Sequence, residues 1–468
     1  MKTKKLLALL LCAMMVSALF ACAQPAAPAT EAPAAEATEA PAAEATEAAP
    51  AEKIEITYAM WGNEEEAANT QKTADVFNAS QDRIHVSVIP IPWETYVEKL
   101  NTMAAAGQLP DCAIMQEPGV IQWAQQGLLY DIGDMYAGSD SKPLDNLAFK
   151  YDGKTVAYSV AFESLLMYYN KDMFDKAGIP YPSADKDKAY SWDEFVATAK
   201  LLTLDANGKN ANDPAFDKDN IVQYGCMVEN LAWQLEVWCL SNGSGYYSKD
   251  GKSVIINDPA AMEAIQKIAD LYLVDHVAPL STGMTDDGVS RSLIAGTVAM
   301  TTNGAWNIGT CLSAARDAGL NYGVAVLPYM KDKVTINTGG PNVVFSQSKN
   351  PEAAMEFIKW YTSPENSWDA LIATGIWMPT LSGYYTDETL THKWLDNPAY
   401  PAYEEAKSVL VDYAMEYSVP ASWYYVNNTV DFNNLLSSIL GDVWNGNKTV
   451  EEVITANYDA LVAAFNGQ

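Results

Sequence analysis

From Ile54 onward, strand-like and helix-like stretches alternate, and this alternation constrains the fold more than any other feature. Residues 54–60 (IEITYAM) read as a strand. Residues 63–77 follow with helical spacing and place Glu64, Glu65 and Glu66 in the first turn, where the helix dipole favours acids. Residues 84–89 (IHVSVI) alternate with period two, as a strand does. A helix over 94–105 stops at Gly107, a strand occupies 111–115, and a helix covers 120–126. This β-α-β-α-β rhythm predicts an α/β fold with a largely parallel sheet covered by helices on both faces.

The rest of the body carries the same signals. Residues 158–170 (YSVAFESLLMYYN) form one long apolar stretch with a single acid, Glu163. Ser191 caps a helix opening Trp192-Asp193-Glu194. Helical periodicity recurs at 229–240, 258–274, 305–317, 350–363, 403–415, 430–444 and 449–465. Strand patterns recur at 221–226, 297–302, 323–327 and 342–346. At 468 residues the chain exceeds a single core, yet no linker divides residues 53–468. The chain is therefore expected to build its lobes by crossing between them more than once.

The N-terminus reads as processing and tether. Lys2, Lys4 and Lys5 precede an apolar run from Leu6 to Phe20, too short for a permanent span. Leu19-Phe20-Ala21-Cys22 resembles a bacterial lipobox, with Phe20 bulkier than usual. The resemblance implies lipid on Cys22; an ordinary secretory signal is the alternative. Residues 23–52 repeat Ala, Pro, Thr and Glu, with nothing to bury and prolines that interrupt any helix. They are expected to form a leash to a soluble body.

Composition removes several function classes. Net charge is −30, with 59 acids, 29 bases and only Arg83, Arg291 and Arg316 as arginines. Such a field repels nucleic acid, and few guanidinium forks are present to hold phosphates. Of the cysteines, Cys112 reads as a buried hydrophobe, a Cys226–Cys239 bridge stays open, and Cys311 stands apart. His85, His276 and His392 are isolated from one another and from any Cys cluster, so neither a metal nor a cofactor is expected. The H-E-x-x-H, G-x-S-x-G, Walker A and G-x-G-x-x-G motifs are absent. The 13 Trp and 26 Tyr outnumber the 11 Phe, a bias that suits a surface gripping something half apolar and half polar.

Seven segments in order resemble the sugar-binding proteins of ABC importers, the maltose-binding-protein-like family. They are EITYAMWGNEEE (55–66), YVEKLNTMAAAGQLPDCAIM (96–115), YSVAFESLLMYYNKDMF (158–174), IAGTVAMTTNGAWNI (294–308), YGVAVLP (322–328), TGGPNVVFSQSKNPEAAMEFIKW (338–360) and TGIWMPT (374–380). The resemblance implies a two-lobe type II periplasmic-binding-protein-like clamp with hinge strands crossing between the lobes. It implies residues 53–161 and 341–374 in lobe 1 and residues 162–340 and 375–468 in lobe 2. Ligand would lie in the cleft and hinge closure would enfold it.

The resemblance and strand ends point to candidate ligand-binding residues. Trp61, Asn63 and Glu64 follow the first strand at its carboxyl end, although Glu64 fits equally a capping cluster. Trp93 and Glu94 open the next helix, and Met115, Gln116 and Glu117 follow the Pro110-Asp111 strand, where a solvated loop is the equal alternative. A carboxylate accepts from adjacent sugar hydroxyls, which suits Glu117 and Glu163; a buried ion pair is the alternative for Glu163. Trp306 matches the family's stacking position and is expected to stack on a pyranose face, with Asn303 and the backbone of Gly304 beside it; packing on the lobe's own core is the alternative. Gly339 and Gly340 sit at a crossing and permit close backbone approach, with plain hinge glycines the equal alternative. Trp233, Trp377 and Trp423 complete the set, with helix packing the alternative for Trp233 and Trp423.

The expected function is binding without catalysis. A lipid-anchored extracytoplasmic receptor, monomeric, would bind a carbohydrate, expected to be an oligosaccharide, and deliver it to the transmembrane subunits of an ABC permease. Two alternatives stay open: a polyamine or other cation in the same clamp, and a tethered glycoside hydrolase using Glu163 and Glu117.

Overall fold

The structure, a computed structural model, describes residues 53–61, 64–92, 95–139, 141–279 and 292–468, without the side chains of residues 64–66. The signal segment, Cys22 and the 23–52 repeat lie outside the described residues, as do Asn63, Trp93, Glu94 and the Glu64 side chain. Thirteen strands are present among them: β1 (Ile54–Trp61), β2 (Ile84–Ile91), β3 (Cys112–Ile114), β4 (Ala148–Tyr151), β5 (Lys154–Ser159), β6 (Glu163–Asn170), β7 (Leu204–Asp205), β8 (Ile221–Val228), β9 (Val298–Gly304), β10 (Tyr322–Ala325), β11 (Thr335–Thr338), β12 (Pro341–Val344) and β13 (Ser418–Pro420).

These strands form two sheets. One runs β2-β1-β3-β12-β5-β4. The other runs β13-β11-β6-β9-β8-β7, with β10 also paired to β6. In the first sheet only β1, β2 and β3 are parallel; β12 enters antiparallel between β3 and β5. In the second, β8–β9 and β11–β13 are parallel and the β6 pairings are antiparallel. The expectation of a largely parallel sheet is thus corrected. The local β-α-β-α-β rhythm reports only the first three strands, and strands returning from the other sheet enter in the opposite sense.

Residues 158–170 are not one continuous strand. The chain leaves the first sheet after Ser159, passes Val160-Ala161-Phe162, and enters the second sheet at Glu163. It returns between β11 and β12 through Gly339-Gly340. The two passages lie side by side: Val160 N donates to Gly340 O at 2.8 Å. A Cβ on Gly339 would stand 2.2 Å from Ala161 O, so only glycine allows the backbones this close. A third stretch joins them, with Phe162 N donating to Met378 O at 3.3 Å.

Local chemistry explains the element boundaries. Asp111 ties β3 to β1, accepting from Thr57 N at 2.8 Å and Thr57 Oγ1 at 3.0 Å. Ser191 and Glu194 form a reciprocal capping box at the start of the 192–202 helix. The predicted helices at 305–317 and 403–415 each contain a wide π turn, at Ile308–Leu312 and Ser408–Tyr413. Cys112 is buried on β3. Cys226 and Cys239 are both free thiols: Cys226 lies on β8, and Cys239 Sγ donates to Ala261 O at 3.5 Å. No bridge joins them. Among the described residues no helix is long and apolar enough to cross a membrane, and no group of His, Cys, Asp and Glu is disposed to hold a metal.

Candidate functional site

The passages between the sheets border a cavity of roughly 390 Å³. Ten of the predicted residues line it: Trp61, Gln116, Glu117, Glu163, Trp233, Trp306, Gly339, Gly340, Trp377 and Trp423. Pro118, Thr310, Thr338 and Ile376 also line it and were not expected. Three of these four adjoin predicted residues in sequence. Thr310 lies four residues past Trp306, which is one helical turn, so helix spacing was the available signal.

Strand ends position the first-sheet groups. Trp61 ends β1, and Gln116-Glu117-Pro118 follow β3, so both sit at carboxyl ends of parallel strands. The Trp61 ring meets Tyr96 edge-on, with centroids 5.6 Å apart. A Cβ on Gly340 would stand 2.8 Å from Ile114 Cδ1 and 3.1 Å from the Trp61 ring, so glycine there makes room for the indole. Glu117 reaches the returning passage: its Oε1 accepts from Gly339 N at 2.6 Å and from the Thr338 hydroxyl.

The second-sheet side supplies an indole wall. Trp306 follows β9, and Trp233 opens the Ala232–Ser241 helix after β8. Their rings lie 6.3 Å apart, and Trp233 meets Trp423 at 5.0 Å in an edge arrangement. Asn303 and Gly304 belong to β9 rather than to a turn: Gly304 pairs with Leu165 of β6, and both residues are buried. Asn303 Oδ1 accepts from Gly304 N at 2.6 Å, so this amide serves the strand end and does not line the cavity. Met115 likewise turns into the core of the first sheet, 5% exposed, and its N donates to Pro341 O at 2.8 Å.

Glu163 opens β6, opposite Thr338 in register, and is buried at the cavity wall. Buried tyrosines surround it. Burial, and then neighbouring groups that include Glu163, push the hydroxyls of Tyr168, Tyr385, Tyr400 and Tyr424 upward. Those hydroxyls therefore stay protonated. Tyr168 OH donates to Gly304 O at 2.8 Å, which links the Glu163 strand to the base of Trp306. Chemically, the cavity offers apolar ring faces and carboxylates, with no Lys, Arg or His among the described residues that line it.

The profile of the family of bacterial extracellular solute-binding proteins matches residues 72–402. The chain belongs to that family. A binding protein of Brucella abortus is 27% identical over 295 residues, 62% of this chain and 67% of that one. Among solved structures, an ABC substrate-binding protein of Listeria monocytogenes in complex with cycloalternan superposes with a TM-score of 0.69 at 24% identity, covering 89% of this chain and 100% of that one. The cyclic α-maltosyl-1,6-maltose binding protein of Arthrobacter globiformis gives 0.70 at 21%, covering 89% and 100%. The fold is that of the type II binding proteins, in which two α/β lobes flank a cleft. Family membership implies an extracytoplasmic body that binds a solute.

Proposed function

We propose that this solute-binding protein is the carbohydrate receptor of an ABC importer, with the ligand held in the cavity between the two sheets. One observation carries the reading. Five indoles, Trp61, Trp233, Trp306, Trp377 and Trp423, border one cavity together with Glu117 and Glu163. A pyranose has an apolar C–H face for an indole and edge hydroxyls for a carboxylate, so this pairing of groups fits it. The two similar structures whose names carry cycloalternan and cyclic α-maltosyl-1,6-maltose support an oligosaccharide. Residues 53–161 and 341–374 form one lobe and 162–340 and 375–468 the other, and hinge motion closes them on the ligand. Cys22 carries lipid, residues 23–52 are the leash, and transmembrane permease subunits receive the sugar; the lipobox-like LFAC and the low-complexity tract support this.

The two carboxylates, with no basic residue among the described residues that line the cavity, also favour a cationic solute such as a polyamine. Isothermal titration against malto-, xylo-, manno- and gluco-oligosaccharides and spermidine separates the readings. A glycan is expected to bind and to be recovered intact. Binding of spermidine with failure of every glycan rejects the carbohydrate reading. For the anchor, labelled palmitate is expected on the wild type and not on Cys22→Ser; equal labelling removes Cys22 from that role.

A further inference from the structure

Two indoles of the cavity are joined by a stiff path through the backbone. Trp306 O accepts from Thr310 N at 3.0 Å, and Thr310 lies in the wide π turn Ile308–Leu312. Such turns often mark functional sites. Within the turn, Gly309 meets the stretch that leads to Trp377. A Cβ on Gly309 would stand 2.5 Å from Thr374 O, Gly375 C and Ile376 N. All three obstacles are backbone, so only glycine lets the turn and the stretch lie this close. Thr310 and Ile376, which flank the contact, both line the cavity.

The stretch is also held from behind. A Cβ on Gly375 would stand 2.7 Å from Ala399 Cβ. Arg316, on the Ser313–Asp317 helix that continues the π turn, reaches the chain beyond it. Its Nη1 donates to Tyr400 O at 2.7 Å, and its Nη2 donates to Pro398 O. Asn397 Nδ2 donates to Ala373 O at 2.8 Å. Residues 374–376 are thus gripped between the π turn and a segment that the same helix holds. A guanidinium fork has a set geometry, so its bonds to main-chain carbonyls fix position. Neither Gly309 nor Arg316 lines the cavity.

We propose that Gly309 and Arg316 are positioning residues that set the spacing of the Trp306 and Trp377 ring faces, and thereby select among glycans by linkage. The inference rests on the cavity being the carbohydrate site. Sugar rings joined through different linkages present their C–H faces at different separations and tilts. Two platforms held through backbone do not follow those differences. A glycan whose ring spacing matches binds with little left to organise, and one that mismatches loses a stacking face.

The test loosens the grip without changing a residue of the cavity wall. Gly309→Ala wedges the stretch away. Arg316→Lys exchanges the fork for a single ammonium, a milder change that carries the test alone where Gly309→Ala fails to fold. Gly225→Ala is the control, because its Cβ would also strike backbone, 1.9 Å from Ala199 O, but away from the cavity. Each is titrated with the malto-, xylo-, manno- and gluco-oligosaccharides, with thermal melts alongside. At least one series is expected to bind the wild type. The affinity ratio between the best-bound series and the others should change by about tenfold in Gly309→Ala and in the same direction, less far, in Arg316→Lys. It should stay level in Gly225→Ala. Lowered melting temperatures with an unchanged ratio in both positioning variants overturn the inference and leave the carbohydrate reading standing. Failure of every glycan on the wild type overturns both.

Discussion

The Trp306 ring lies on the α-carbon of Gly304. A Cβ added there would stand 1.8 Å from Cζ3 and 2.0 Å from Cη2 of the indole. The glycine of this Asn-Gly pair exists for the tryptophan that follows, not for a turn. Gly304→Ala must therefore displace the indole. Overpacking of this kind costs about 1–3 kcal/mol. Because the displaced ring lines the cavity, ligand affinity should fall along with the melting temperature. Trp306→Ala is the companion variant. The half-buried ring should cost less stability than the roughly 3–5 kcal/mol of a fully buried aromatic, while most affinity is lost. Titration of both variants with unchanged affinity would place Trp306 outside the site.

Gly225 supplies the contrast. It lies on β8 against the Trp192–Leu202 helix, and a Cβ there would stand 1.9 Å from Ala199 O. The obstacle is backbone, which yields far less readily than a ring. Gly225→Ala should lower the melting temperature by more than Gly304→Ala does, yet leave the affinity of the folded fraction unchanged. Gly225 is absent from the cavity wall. Parallel melts and titrations check the pair, and an affinity loss in Gly225→Ala would show that the two effects are not separable.

What the sequence disclosed follows the range of the interactions involved. The 192–202 helix was legible because its cap, Ser191 with Glu194, spans three residues. Strands β1 to β3 were legible because each announces itself by local periodicity. The place of β12 was not: Val344 pairs with Cys112, more than 200 residues earlier, and no local pattern records such a pairing. Nor was the break in residues 158–170, where one apolar run serves two sheets because both ends are buried. At the site, indoles and carboxylates stood out by residue type. Asn303 and Met115 misled because neighbourhood in sequence was taken for direction. Met115, one residue before Gln116, is buried in the core, and Asn303, three residues before Trp306, is buried on β9, where its amide oxygen accepts from Gly304 N. Thr338 adjoins Gly339 in sequence, but only the fold brings its hydroxyl to Glu117.

Glu117 connects the loop after β3 to the passage between β11 and β12. Glu117→Ala would leave the buried Gly339 N–H without its acceptor, which costs about 1–3 kcal/mol. Glu117→Gln retains an amide oxygen at the same place and should recover most of that loss. Its effect on ligand binding should be larger than its effect on stability, since a neutral amide accepts more weakly from hydroxyls than a carboxylate does. Denaturant melts of the two variants beside their titrations decide the matter. Equal stability of Glu117→Ala and wild type would show that the bond to Gly339 does not hold the passage.

Glu236 gives the protein a pH dependence of defined sign. It is buried in the Ala232–Ser241 helix, and burial raises its carboxyl from 4.5 to about 7, against the lowering effect of Ser422 and the Tyr246 backbone. The folded state thus holds a proton that the unfolded chain releases near its ordinary value. Between those two values the native state binds more protons, so stability falls as pH rises. The contribution is fully present below about 4.5 and is lost by the time pH passes 7. Its size is at most about 3 kcal/mol. Glu236→Gln keeps an acceptor for Ser422 and Tyr246 and has no proton to lose. Melts at pH 5 and pH 8, values chosen to bracket about 7, should show the wild type losing stability at the higher pH relative to Glu236→Gln. Because Ser422 adjoins Trp423, glycan affinity should weaken over the same interval in the wild type and stay level in the variant. Parallel pH profiles for the two proteins would exclude Glu236 as the titrating group.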